Sequence, residues 1–144
     1  MSEIIVLDTH IWVWYINREL EKFPSSWLEI IETANQVGIS TVSCYEVALA
    51  QQKGRLILPC PVDQWFQEAL EPSGISLLSL TPAIASGAVN LSPIHRDPFD
   101  RIIIATAIEY QGKLASIDGF FRQYPELTSL LQQFDIKSST RIAI

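Results

Sequence analysis

Short apolar runs that alternate with helical segments most constrain what this chain can fold into. Residues 3–8 (EIIVLD) are too few for a helix and are apolar up to their final acid, as expected of a strand buried on both faces. Further strands are predicted at residues 38–42, 75–80 and 113–118. Helical patterns are predicted at residues 9–17, 25–37, 43–53, 62–71, 81–91 and 98–110. The alternation predicts an α/β domain whose mostly parallel sheet is covered by helices on both faces.

Local signals set the boundaries of these elements. Gly38 is expected to end the second helix, and Gly54 to lie just past the third. Ser43 is expected to cap the third helix, with Glu46 completing a capping box. After Pro125 we expect a helix at 126–133 and a short strand within 134–144.

Composition indicates one globular domain, residues 1–144. Hydrophobic residues make up 48% and charged residues 18%, too apolar for a disordered chain. No apolar run approaches the roughly 20 residues of a membrane span, and the N-terminus is unlike a signal peptide, so we expect a cytoplasmic protein without a membrane partner. Cys44 and Cys60 fit no zinc pattern and are expected to be reduced thiols.

The formal net charge of −6 has the opposite sign from that of most nucleic-acid-binding proteins. Either the partner is not a nucleic acid, or the negative charge is concentrated where cations bind. A basic partner protein would also suit an acidic surface. Composition by itself leaves these three interpretations open.

Acidic residues recur at equivalent places in the alternating pattern. Two end the first and fourth strands, and two lie in the first turns of helices; they are Asp8, Asp118, Glu46 and Asp100. Strand C-termini and helix N-termini share one edge of a doubly wound sheet, so we expect these carboxylates to meet in one pocket. Each acid alone is also explained as a helix cap or first-turn acid, and for Asp97, just before Pro98, capping is the favoured interpretation.

Clustered carboxylates favour a divalent cation. They repel one another, so some must stay protonated unless a cation neutralises them. Oxygen ligands without His or Cys favour Mg²⁺ or Mn²⁺ over zinc. Such a site suits phosphodiester hydrolysis, in which the metal activates a water and stabilises the leaving oxygen.

Four segments resemble the successive motifs of VapC-type PIN domains. They are LDTHIWVW (7–14), STVSCYEVALAQQKGRLILP (40–59), LSPIHRDPFDRIIIATA (91–107) and LASIDGFFRQYP (114–125). They follow the family's order across residues 3–125, and the DTH and HRDPFDR segments are specific to it.

The resemblance implies a PIN-like, Rossmann-like three-layer domain with a central, mostly parallel sheet of four or five strands. It also implies a Mg²⁺- or Mn²⁺-dependent endoribonuclease that cleaves single-stranded or looped RNA and leaves 5′-phosphate and 3′-hydroxyl ends. By the family pattern, the metal ligands would be Asp8, Glu46, Asp100 and, as the fourth acid, Asp118. Thr9 and Ser116, beside two of these acids, would hold a metal-bound water or a phosphate.

Partners are also implied by the resemblance. VapC-type toxins have a cognate antitoxin that blocks the acidic pocket, commonly with a basic side chain, and a homodimer is expected. Candidate contacts to the RNA backbone are Lys53, Arg55, Arg96, Arg101 and Arg122. Arg96 and Arg101 flank the expected site, and Arg101 has a second interpretation, in which it pairs with an acid and orients it.

Other classes fit the sequence less well. A haloacid-type phosphatase would need an acid where His10 stands, and a phosphate-receiver domain would need adjacent acids where Thr9 stands. Neither a glycine-rich nucleotide loop nor a G-x-S-x-G elbow occurs. The remaining alternative is a catalytically silent PIN-like domain that binds RNA or a partner protein.

Overall fold

The computed structural model describes residues 3–94, 97–127 and 130–132. Its strands and helices are β1 (Ile4–Leu7), α1 (Thr9–Ile16), α2 (Ser25–Thr33), β2 (Gln36–Ser40), α3 (Thr41–Gln52), α4 (Val62–Ala69), β3 (Ile75–Leu78), α5 (Pro82–Val89), α6 (Pro98–Glu109), β4 (Lys113–Ala115) and β5 (Leu131–Gln132). Short 3₁₀ turns lie at Leu20–Lys22, Glu71–Ser73, Phe121–Gln123 and Pro125–Leu127.

The five strands form one parallel sheet in the order β3-β2-β1-β4-β5. The first strand lies in the centre, where Ile5 pairs with Val37 of β2 and Leu7 pairs with Ala115 of β4. The chain therefore adds β2 and β3 on one side of β1, and then crosses over to add β4 and β5 on the other side. The predicted α/β class with a parallel sheet of four or five strands is confirmed.

Hydrophobic side chains are buried on both faces of the sheet, because successive residues of a strand point to opposite sides. Ile5 and Leu7 belong to a core packed against α1, α2 and α4, whereas Val6 and Leu114 belong to a second core packed against α6. The largest side chains of the first core are the indoles of Trp12, Trp27 and Trp65, all at most 2% exposed. The domain is thus a three-layer α/β/α structure.

A glycine is required at position 38, in the middle of β2. A Cβ atom built there would lie 2.8 Å from both Cγ and Cδ1 of Leu78, closer than real Cβ atoms approach. Gly38 therefore makes room for the Leu78 side chain on that face of the sheet.

Three predicted boundaries were wrong. Helix α2 ends at Thr33 because Ala34 is extended (ψ 149°), and Gly38 lies inside β2 instead of ending a helix. The cap of α3 is Ser40, whose Oγ accepts a hydrogen bond from the Val42 N–H, so Ser43 is not the cap and no capping box forms with Glu46. Chain 131–132, expected to be helical, is a strand. The strand expected within 134–144 lies outside the described residues.

Within the part of the chain that the structure describes, no helix is long and apolar enough to cross a membrane.

Candidate active site

The strand order reverses between β1 and β4, and open α/β sheets have their ligand-binding crevice at the C-terminal ends of two such strands. Ligands of open α/β sheets bind at such a point, because the helices that follow the two strands leave in opposite directions. Asp8 follows β1 directly, and its backbone N–H donates to the Ala115 carbonyl at 3.0 Å. Ser116 and Asp118 follow β4 at the same edge.

One hydroxyl at this crevice joins the Asp8 carboxylate to the backbone of Asp118. The Ser116 Oγ donates to Asp8 Oδ2 at 2.8 Å and accepts a hydrogen bond from the Asp118 N–H at 3.0 Å. Asp8 Oδ1 accepts from the Thr9 N–H at 2.8 Å, which makes Asp8 the N-cap of α1. Asp118 Oδ1 accepts from the Phe120 N–H at 2.9 Å. Both carboxylates are therefore held by donors on the following turn.

A second chain of hydrogen bonds reaches the carboxylate of α3. The Thr9 Oγ1 donates to Glu46 Oε1 at 2.6 Å and lies 2.8 Å from the buried Ser43 Oγ. Because a hydroxyl carries only one proton and that of Thr9 is given to Glu46, Ser43 must be the donor to Thr9. The pattern Ser43 to Thr9 to Glu46 fixes one oxygen of the Glu46 carboxylate.

The start of α6 brings the remaining acid to the same region. Asp97 is the N-cap of α6, with Oδ1 accepting from the Phe99 N–H at 2.9 Å. Asp100 lies in the first turn and is 7% exposed. The rings of Tyr45 and Phe99 lie 5.2 Å apart, so the N-terminal halves of α3 and α6, which carry Glu46 and Asp100, are neighbours. The prediction that Glu46 lies in the first turn of its helix was wrong: α3 begins at Thr41, its first turn holds no acid, and Glu46 lies in the second turn.

Electrostatics at the crevice disfavour the ionised form of Asp8. Burial raises the pKa of the Asp8 carboxyl, and the nearby charge of Asp118 raises it further. His10 and the hydrogen bonds from Ser116 and Thr9 act in the opposite direction but do not cancel the burial. Asp8 is therefore a carboxylate whose charge would be stabilised by an added cation.

The four acids do not form a finished metal site. Across residues 3–94, 97–127 and 130–132, no three Asp, Glu, His or Cys side chains are grouped closely enough to hold a metal ion. Asp8 and Asp118 interact with each other, Glu46 is tied to Thr9, and Asp100 lies on the neighbouring helix. The donor chemistry nevertheless fits Mg²⁺ or Mn²⁺, since it offers only hard oxygens. Convergence of all four acids on one ion stays a prediction.

Arg101 makes contacts within the fold. Its guanidinium donates to four backbone carbonyls, at 2.9 to 3.3 Å, and to the Tyr124 hydroxyl at 3.4 Å. The carbonyls belong to Ala88, Val89, Leu91 and Ser92. These contacts favour an architectural role for Arg101 over a phosphate contact. Arg96 lies outside the described residues, and Lys53, Arg55 and Arg122 are exposed.

Sequence reasoning missed Glu126, which completes the Arg101 network. Glu126 Oε2 accepts from both the N–H (2.8 Å) and the Oγ (3.1 Å) of Ser92. Burial alone would raise the pKa of Glu126, but these hydrogen bonds and the charge of Arg101 together lower it. The residue lies where the helix at 126–133 was expected, and nothing in its sequence neighbourhood indicates a partner more than 30 residues away.

Comparison with known proteins agrees with this architecture. The PIN domain family model matches residues 5–127. The ribonuclease VapC22 of Mycobacterium tuberculosis is 31% identical over 121 residues, covering 83% of this chain and 91% of the relative.

Solved structures share the fold. A chain of the VapBC2 structure from Rickettsia felis, bound to a DNA fragment from the promoter, superposes with a TM-score of 0.66 at 20% identity, covering 92% of this chain and 99% of that one. A chain of a toxin–antitoxin complex from Klebsiella pneumoniae has a TM-score of 0.58 at 20% identity, covering 96% and 99%. At these identities the superpositions establish the fold only.

The match to the family model over residues 5–127 shows that the chain belongs to the PIN-domain family, and the parallel sheet with acids at its switch point agrees with this. Within that family, the similarity to VapC22 across most of both chains places it among the VapC-type members.

Proposed function

We propose that this protein is a metal-dependent endoribonuclease of the VapC type. The observation that carries the proposal is the hydrogen bonding that positions the acids at the switch point: the Ser116 hydroxyl joins the Asp8 carboxylate to the Asp118 backbone N–H, and the Thr9 hydroxyl donates to Glu46. The 31% identity to a protein named a ribonuclease also supports the proposed activity. We further propose that the protein acts in the cytoplasm.

Mg²⁺ or Mn²⁺ would be held by Asp8, Glu46, Asp100 and Asp118, and would supply charge neutralisation and an activated water. Hydroxyl groups of the chain hold these carboxylates in position. Ser116 holds Asp8 Oδ2 and, through its backbone contact, sets the position of Asp118. Thr9 holds one oxygen of Glu46 by donating its hydroxyl proton to it. The proposed products carry 5′-phosphate and 3′-hydroxyl ends.

The proposed regulator is a cognate antitoxin that presents a basic side chain to the acidic crevice. The net charge of −6 and the burial of Asp8, Asp100 and Asp118 favour such a partner. Solved structures with this fold include VapBC and toxin–antitoxin complexes. We further propose a homodimer, for which light scattering should give twice the mass of one chain. A small protein encoded in the neighbouring upstream reading frame should inhibit cleavage when purified and added.

The test is cleavage of a mixed-sequence RNA in Mg²⁺ or Mn²⁺ by wild type and two isosteric variants, Asp8→Asn and Asp100→Asn. Loss of an outer partner of a metal ligand typically costs 10- to 100-fold, so loss of a ligand charge should lower the rate by at least about 100-fold. Asp97→Asn is the matched control, because Asn caps a helix as well as Asp does and activity should stay within about threefold. Cleavage that survives EDTA and both substitutions would refute the assigned site. RNA binding without cleavage would instead indicate the catalytically silent alternative.

A further inference from the structure

One exposed aromatic side chain stands beside the proposed site and has no part in the chemistry described above. Tyr45 is 56% exposed, although it lies on α3 directly before Glu46. Large aromatic side chains are normally buried because they remove 150–250 Å² from water. Among the described large hydrophobic residues that are exposed, Tyr45 is the aromatic one; the others are Ile57, Leu77, Leu80, Val89 and Ile94.

The surroundings of Tyr45 hold its ring in place. One side of the ring leans on Phe99, with the centroids 5.2 Å apart and the planes inclined by 41°. Phe99 is fixed in turn, since its N–H donates to the Asp97 cap and it belongs to the first turn of α6. The ring is therefore supported by α6 and still presents much of its surface to solvent.

The position of the Tyr45 ring indicates a function for its exposed surface. Tyr45 directly precedes Glu46, and Phe99 directly precedes Asp100, so the contact between the two rings lies one residue along the chain from an acid on each of two helices. A phosphodiester bound at those acids carries a nucleoside on each side, about one nucleotide length from the cleaved bond. A flanking base would come within reach of the Tyr45 ring.

We propose that Tyr45 is a substrate-binding residue, and that a base adjacent to the cleaved phosphate of single-stranded RNA stacks on its ring. Proteins that bind single-stranded RNA use aromatic rings in this way, and each stacked base contributes about 1–3 kcal/mol. Stacking requires no positive charge, which suits a chain whose net charge is −6. This inference rests on the proposed nuclease function for its substrate.

The proposal is tested with Tyr45→Leu and Tyr45→Phe in the full-length protein. Leucine keeps an apolar contact with Phe99 but cannot stack, so KM for a single-stranded oligoribonucleotide in Mn²⁺ should rise roughly 5- to 100-fold while kcat changes little. Phenylalanine keeps the ring and should restore wild-type KM. Ile57→Ala is the control, because Ile57 is 89% exposed in the segment after the far end of α3 and should leave both constants unchanged.

A binding measurement separates this proposal from the nuclease proposal. Fluorescence anisotropy of the labelled oligonucleotide in Ca²⁺, together with a 2-aminopurine probe that reports stacking, requires no cleavage. If the wild type binds RNA and Tyr45→Leu weakens binding, the stacking role stands even where no cleavage is detected. Equal affinity of Tyr45→Leu and wild type would overturn it, as would no RNA binding at all. A changed oligomeric state of Tyr45→Leu with unaltered RNA affinity would also overturn it and would assign the ring to a contact between copies.

Discussion

Replacing Asp8 with Asn should make the protein more stable as it loses activity. Asp8 is 6% exposed, and burial is the largest cause of its raised pKa, with Asp118 adding to it. Asparagine has the same shape and keeps an oxygen for the Thr9 N–H, while its NH₂ group at the position of Oδ2 would donate to the Ser116 Oγ and so reverse the direction of that hydrogen bond. The substitution therefore removes an unfavourable charge and retains the local geometry.

The sign and size follow from proton linkage. Between the ordinary pKa of 3.8 and the raised pKa of the folded state, the folded chain binds more protons than the unfolded chain, so stability falls as pH rises through that window. At pH values above the raised pKa the whole penalty is present, and asparagine, which carries no charge, avoids it. Single substitutions that remove an unfavourable feature commonly stabilise a protein by about 0.5–2 kcal/mol, and we expect Asp8→Asn to gain stability in that range, which is roughly 2–7 °C in Tm.

The assay is urea and thermal unfolding at pH 7 in EDTA, with Glu29→Gln as the control because Glu29 is an exposed acid in the middle of α2 and the loss of its charge should change little. The gain should shrink as the pH approaches 3.8. Adding Mn²⁺ at 100 times its Kd should stabilise the wild type by about 2.7 kcal/mol and should stabilise Asp8→Asn much less. An Asp8→Asn protein that is less stable than wild type in EDTA at pH 7 would refute the reasoning.

Three further predictions follow from single contacts. Ser116→Ala removes the hydroxyl that joins the Asp8 carboxylate to the Asp118 backbone. It should lower the cleavage rate about 10- to 100-fold and the free energy of unfolding by about 1 kcal/mol, as measured by kinetics and urea unfolding. A variant that cleaves RNA at the wild-type rate would contradict this prediction. In Arg101→Lys, the lysine ammonium cannot donate to four carbonyls at once, so the free energy of unfolding should fall by about 1–3 kcal/mol. An unchanged urea midpoint would show that the network does not contribute to stability. Gly38→Ala should cost about 1–3 kcal/mol in thermal unfolding through its overlap with Leu78, and in the Leu78→Ala background the penalty should largely disappear.

The sequence was sufficient for the architecture and for the edge where the acids lie. Parallel strands and their following helices have only one way to share an edge, so the neighbourhood of Asp8 and Ser116 could be expected without coordinates. The periodicity of apolar residues in the sequence does not specify the register of the strands. The pairing of Leu7 with Ala115, which brings Ser116 opposite Asp8, depends on how both faces of the sheet pack.

Boundary errors arose where two residues compete for one role. Ser40 and Ser43 are equally good caps, and the structure chooses Ser40 because β2 runs on to that residue. Ser43 then falls inside the helix, where its hydroxyl serves Thr9. The Arg101 network was equally out of reach, because a cation next to a proposed phosphate site resembles a ligand contact until its carbonyl partners are seen.

The central position of β1 also determines when the sheet can be completed during synthesis. Its four residues form hydrogen bonds on one side with β2, which leaves the ribosome early, and on the other with β4, which begins at residue 113. The bond between Asp8 and Ser116 spans 108 residues of chain, a closure that must wait until Ser116 has left the ribosome. A nascent chain that ends before Ser116 therefore holds Asp8 without the hydroxyl that fixes its Oδ2, and the proposed centre is incomplete until that point.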